Sequence, residues 1–115
     1  MDVTAGEVWW AELSPTRGRE QTGRRPVLVV ASGRYHDLVD SMTIVVPITS
    51  TDRSWPNHVA VSAGCVSGFA MAEQVRTISG SRLLSHEGDA AAECLAAVMW
   101  WLTGYLSGDN DGWTT

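Results

Sequence analysis

The sequence predicts a mainly β domain, a small β-barrel-like sheet with one long C-terminal helix packed on it. Three observations predict it. Short apolar runs rich in β-branched and aromatic residues follow one another, separated by polar connections marked with Gly and Pro. Beyond Asp89 the hydrophobic period changes to i, i+3, i+4 spacing. The chain has 115 residues, which leaves room for one domain.

The elements follow in order. Glu7 to Leu13 reads as a strand ended by Ser14-Pro15, and residues 14–24 as a polar loop punctuated by Gly18 and Gly23. Pro26 to Ala31 is a continuous apolar run, a buried strand, and Ser32 to Ser41 a connection. Met42 to Ile48 is another strand, with Pro47 near its end indicating a bulge or edge. Thr51 to Asn57 forms a second polar loop holding Trp55-Pro56. His58 to Ser62 alternates, as a half-buried strand does. After a turn at Ala63–Gly68, Phe69 to Ile78 gives one longer strand, and Ser79 to Gly88 is irregular or a short helical turn. In the helix, Ala91, Cys94, Leu95, Val98, Trp101, Leu102 and Tyr105 form the apolar stripe; Asp89 fits its start and Gly108 its stop. Five or six strands therefore precede one helix. Residues 1–108 make the domain, and 109–115 a flexible acidic tail.

Composition narrows the function. At 44% hydrophobic residues and a formal charge of −5, the chain is neither disordered nor self-repelling. Cys65 and Cys94 stand 29 residues apart, which is no disulfide framework and no zinc knuckle. His36, His58 and His86 form no ligand motif, so no metal and no cofactor is expected, and both cysteines are expected reduced, in or near the core. The first fifteen residues hold Asp2, Glu7 and Glu12 but no base, unlike a secretory signal. The longest apolar run, Cys94 to Leu102, is far short of a membrane span. A cytoplasmic protein without membrane contact is the expectation.

The charge is polarised. All eight basic residues are arginine, and Arg17, Arg19, Arg24, Arg25 and Arg34 cluster against the single acid Glu20. From Glu87 onward there are five acids and no Lys or Arg. Guanidinium groups grip phosphate bidentately, so a local anion site is compatible with a negative total; a solvated loop is the simpler alternative.

No phosphate-binding Gly loop and no Gly-x-Ser-x-Gly elbow occurs, and Cys94 lies on the inward helix face. What remains is polar residues at strand ends. Arg25 precedes a buried strand, Thr49 and Ser50 follow another, and Glu73, Gln74, Arg76 and Thr77 interrupt a third. Arginine, hydroxyls, an amide and a carboxylate suit a phosphodiester, and each is equally ordinary strand-edge polarity.

Three blocks of sequence carry a resemblance. Glu7-Val8-Trp9, Leu13-Ser14-Pro15, Gly18, Glu20-Gln21, Gly23 and Arg25-Pro26-Val27 stand in order, followed by Pro47-Ile48-Thr49-Ser50 and by Glu73-Gln74-Val75-Arg76-Thr77-Ile78. Over residues 6–107 this resembles the MazF/PemK (Kid) family of toxin endoribonucleases. The resemblance implies an SH3-like barrel of the CcdB/Kid type with a C-terminal helix, and a homodimer. It implies metal-independent cleavage of single-stranded RNA at a short preferred sequence, as an mRNA interferase. It also implies a cognate antitoxin whose acidic C-terminal segment lies in the RNA groove, with DNA reached only through the antitoxin complex. Carried over, the catalytic pair falls on Arg25 and Thr49, and substrate contacts on Glu20, Gln21, Ser50 and Gln74, with Arg24 and Arg76 beside them. Ser67-Gly68 departs from the Asp-Ser of many members, a change in groove lining; Trp55 and Trp113 match no motif of the family.

Such chemistry needs little from the protein. The ribose 2′-OH attacks the adjacent phosphorus and leaves a 2′,3′-cyclic phosphate and a 5′-OH, while a guanidinium and a hydroxyl stabilise the phosphoryl charge. Because a guanidinium holds its proton, Glu20 or His58 are candidates to share the proton transfer. Trp9, Trp10, Trp100 and Trp101 read as core and dimer packing rather than base stacking, with one of Trp9 and Trp10 facing away from the core. Two rivals share the fold class: a CcdB-like gyrase poison, to which Trp113 invites comparison, and a silent member acting only in a complex on DNA.

Overall fold

Val8 and Ala11 are both fully buried, although their odd separation along a strand sends them to opposite faces. The sheet is therefore covered on both sides. The computed structural model describes residues 2–13 and 23–108; the loop over 14–22, with Glu20 and Gln21, and the tail over 109–115, with Trp113, lie outside them. The described strands are β1 (Glu7–Glu12), β2 (Arg24–Val29), β3 (Met42–Thr49), β4 (His58–Ala63), β5 (Val66–Met71), β6 (Arg76–Ser79) and β7 (Leu83–Asp89), with helices α1 (Gly33–Leu38) and α2 (Ala92–Ser107). All pairings are antiparallel in the order β4-β5-β3-β2-β1-β7, and β6 also pairs with β3. The curled sheet with its C-terminal helix is the small barrel that the sequence predicts, with seven strands rather than five or six.

One core joins the helix to the sheet: Cys94, Val98 and Leu102 of α2 pack with Val8, Leu28, Val46, Ile48, Val61 and Ala70. A second, smaller core on the other face gathers Val3, Ala11, Leu13, Val27, Val29, Val45 and Ile78. Neither Trp9 nor Trp10 faces away from a core, since Trp9 packs against the second and Trp10 against the first. Gly108 ends α2 in the left-handed conformation (φ 73°), its N–H donating to Gly104 O at 2.8 Å. At the other end Asp89 belongs to β7, and Ala91 occupies the cap without a side-chain bond. No described helix is long and apolar enough to cross a membrane.

Three segments differ from expectation. Within 32–41 the chain forms α1, where Ser32 Oγ accepts from the Tyr35 N–H at 3.1 Å and the buried His36 bonds Thr43 Oγ1 through Nε2 at 2.8 Å. The run Phe69–Ile78 is one path along β3 but two strands. Ile48 pairs with Ala70 and Val45 with Arg76, so residues 71–75, including a 3₁₀ turn at Ala72–Gln74, stand opposite 46–47 alone. Ile44 O accepts from Val30 N on the β2 side, so alternation turns the Pro47 nitrogen toward this gap, where its missing donor breaks no ladder bond. Finally, after a 3₁₀ turn at Gly80–Arg82, residues 83–89 form β7, an edge strand on β1 with two register shifts.

Candidate functional site

The polar residues at the ends of β2 and β3 meet. In their ladder Val27 stands opposite Pro47 and Leu28 opposite Val46, and continuing that register brings Arg25 opposite Thr49. Both line a cleft of about 640 Å³, together with Trp10, Arg24, Pro26, Ile48, Ser50, Thr51, Cys65, Val66 and Ser67. A second hollow of about 470 Å³ lies beside it and shares Ser50 and Ser67 with it. Two exposed guanidiniums, from Arg24 and Arg25, give the cleft its positive charge.

The hydroxyl of Thr49 is oriented by its own chain. Its Oγ1 accepts from the Thr51 N–H at 3.1 Å, which leaves the hydroxyl proton to be donated into the cleft. Trp10 forms one wall, with the Arg24 guanidinium 5.8 Å above its ring. Behind that wall Glu87 Oε1 accepts from Trp10 Nε1 at 3.1 Å, and Oε2 accepts from the Cys65 N–H at 2.6 Å. These two donors, Cys65 first, hold the Glu87 carboxyl below its ordinary 4.5. A folded value below the unfolded one means stability that is present above pH 4.5 and lost as pH falls through the folded value. Acid melting of Glu87→Gln should therefore be less steep than that of the native chain, in melting temperatures taken on both sides of pH 4.5.

The other predicted residues lie elsewhere. Gln74 ends the 3₁₀ turn and Arg76 opens β6 opposite Val45, both exposed and outside the cleft lining, because the path along β3 has passed Thr49 before reaching them. Glu20 and Gln21 are outside the described residues. Glu73 faces His58, whose Nε2 lies 3.0 Å from both carboxylate oxygens, while Asn57 Nδ2 donates to Glu73 Oε1 at 3.2 Å and to Tyr105 Oη at 2.8 Å. The Trp55 ring leans on His58 at 4.7 Å, and burial raises the Tyr105 phenol above its usual value. This network draws His58 away from the cleft.

Among the described residues, Glu7, His86 and Asp89 bring donor atoms within 4.8 Å of one another. They already engage each other and their neighbours: His86 Nε2 donates to Asp89 Oδ1 and Gly88 O, and Glu7 Oε1 accepts from Trp9 Nε1. Cys94 is buried, which raises its thiol, but Cys65 is exposed on the β4–β5 turn rather than in a core. Cys65 and Trp10 of the lining, and Glu87 behind it, are among the residues that sequence reasoning missed. Only the adjacency of Trp10 to the first motif hinted at one of them, since the other two arrive through a turn and an edge strand.

A family model described as PemK-like, MazF-like toxin of type II toxin–antitoxin system matches residues 4–104. The endoribonuclease toxin MazF of Escherichia coli K12 is 32% identical over 94 residues, 81% of this chain and 84% of its own length. The endoribonuclease EndoA of Bacillus subtilis is 38% identical over 90 residues, 72% of this chain and 76% of its own. Among solved structures, MazF of Deinococcus radiodurans superposes with a TM-score of 0.76 at 32% identity, covering 90% of this chain and 96% of that one. A MazE–MazF complex from the same organism gives 0.77 at 33% identity, with 93% and 96% covered.

Proposed function

The chain belongs to the PemK-like, MazF-like toxins of type II toxin–antitoxin systems, and on that premise we propose that it is an endoribonuclease cutting single-stranded RNA by internal attack of a ribose 2′-OH. The observation that carries the reading is the meeting of Arg25 and Thr49, from neighbouring strands, in one arginine-lined cleft.

The chemistry follows from the groups present. The 2′-oxygen forms a bond to phosphorus and gives up its proton, and the bond from phosphorus to the 5′-oxygen breaks. The products are a 2′,3′-cyclic phosphate and, once the leaving oxygen is protonated, a 5′-OH. The Arg25 guanidinium stabilises charge growing on the phosphoryl oxygens, and the Thr49 hydroxyl adds a second donor. Arg24 and Ser50 hold flanking phosphate and sugar, and the second hollow beside Ser67 accommodates further nucleotides. With His58 engaged by Glu73, proton transfer falls to Glu20. Every step uses the chain's own groups, and the reading includes metal independence.

A cognate antitoxin of the MazE kind is its partner in this reading, as in the related complexes. Its acidic C-terminal segment competes with RNA for the arginine-lined groove. Two copies of the chain pair, and DNA is reached only through the antitoxin complex. Exposed Met99, Trp100 and Leu106 on α2 add an apolar surface of the kind that protein partners cover. The gyrase-poison alternative is not favoured, since the matching family is one of MazF-like toxins and the similar proteins are endoribonucleases.

Incubating the protein with a mixed single-stranded RNA pool in excess EDTA should give sequence-biased cuts with 5′-OH ends. A 2′-deoxy substitution at the mapped cut site should stop cleavage there, and continued cutting would exclude the proposed nucleophile. Intact RNA together with inhibited DNA supercoiling would favour the gyrase poison instead.

A further inference from the structure

β7 carries a residue that holds the cleft together from behind. The two oxygens of Glu87 are engaged by different parts of the wall, the Trp10 indole of β1 and the Cys65 main chain of the β4–β5 turn, 77 and 22 residues away. Trp10 and Cys65 line the cleft and Glu87 does not. The turn is fitted to this carboxylate. Gly64 is left-handed (φ 58°), and a Cβ on it would collide with both the main-chain carbonyl and the carboxylate of Glu87. Trp10 is thus held at its edge by a charge-assisted hydrogen bond and covered on its face by Arg24.

We propose that Glu87 is a positioning residue for substrate binding: it fixes the Trp10 ring and holds the Cys65–Ser67 wall against β1 without touching RNA itself. The proposal rests on the endoribonuclease reading above. A flat indole fixed at its edge braces the Arg24 guanidinium that lies over it, and so sets one of the phosphate contacts. Without the carboxylate the ring regains rotation and the turn loses its tether, so RNA is held less well. The Arg25–Thr49 pair is set by the β2–β3 ladder instead, and still acts on whatever binds.

The test uses the full chain and an RNA oligonucleotide containing the mapped cut site. Glu87→Ala should raise KM about tenfold with kcat within about twofold of native. Glu87→Gln, which keeps one acceptor oxygen in nearly the same shape, should give a smaller rise, and it carries the test should the alanine variant fail to fold. Trp10→Phe keeps an aromatic face but lacks the N–H. Combined with Glu87→Ala it should be no worse than Glu87→Ala alone, because both act through one contact. Native KM in both Glu87 variants, or additive effects in the double variant, would overturn the proposal. Tryptophan emission separates the two readings. Glu87→Ala should shift it in the native background and not in Trp10→Phe. A chain that shows this shift yet cuts no RNA refutes the endoribonuclease reading, and the positioning role with it. A chain that cuts RNA while Glu87→Ala alters neither KM nor emission refutes the positioning role alone.

Discussion

Replacing Arg25 by alanine should lower the rate of RNA cleavage about 10²–10³-fold, the usual loss when one donor to a developing oxyanion is removed. The side chain is exposed, so its truncation falls among surface changes that move stability by no more than about 0.5 kcal/mol. The fold is held from the neighbouring positions, Val27 and Leu28, which are fully buried. Single-turnover cleavage of an RNA carrying the mapped cut site measures the loss, and an unchanged melting temperature shows that it is chemical. Arg25→Lys should fall between the two, since an ammonium keeps the charge but not the planar fork. Native rates in Arg25→Ala would move the charge-stabilising role to another residue.

Gly68→Ala should damage both stability and activity. Gly68 is buried on β5, and a Cβ there would collide with the main-chain carbonyl of Thr49 and stand 3.1 Å from Ile48 Cγ2 and 3.2 Å from the Thr49 carbonyl carbon. Backbone yields far less readily than the tip of a flexible side chain, so β5 must be pushed away from β3. Overpacking of this kind costs about 1–3 kcal/mol. The displaced atoms belong to Thr49, so kcat should fall with the melting temperature. Gly33→Ala is the control, since nothing lies within 4 Å of its Cβ and both quantities should stay native. A Gly68→Ala variant that melts and cleaves as the native chain does would show that the two strands are not in close contact at Thr49.

How far the sequence revealed this arrangement depended on what kind of signal each part leaves. Arg25 and Thr49 were legible because they flank apolar runs whose ends are sharp, and antiparallel neighbours bring such ends together. The stripe of α2 was legible because Cys94, Val98 and Leu102 repeat at helical spacing over a long element. Helix α1 was not, since six residues with only His36 buried cannot display a period. β7 left no alternation because no residue in it is fully buried, and its partner β1 is 77 residues distant at the Trp10–Glu87 contact. With β7 hidden, Glu87 could not be seen behind the cleft wall, and Trp10 was read as packing alone. The break between β5 and β6 escaped for another reason: it answers to the two ends of β3, which one strand's own composition does not encode.

The two slips in pairing along β7 matter beyond this molecule's own sheet. A second chain trying to add itself alongside would find donors and acceptors out of step. Irregular, charged rims of this sort are a recognised defence against runaway sheet growth. Such a strand offers an added chain no regular ladder to extend.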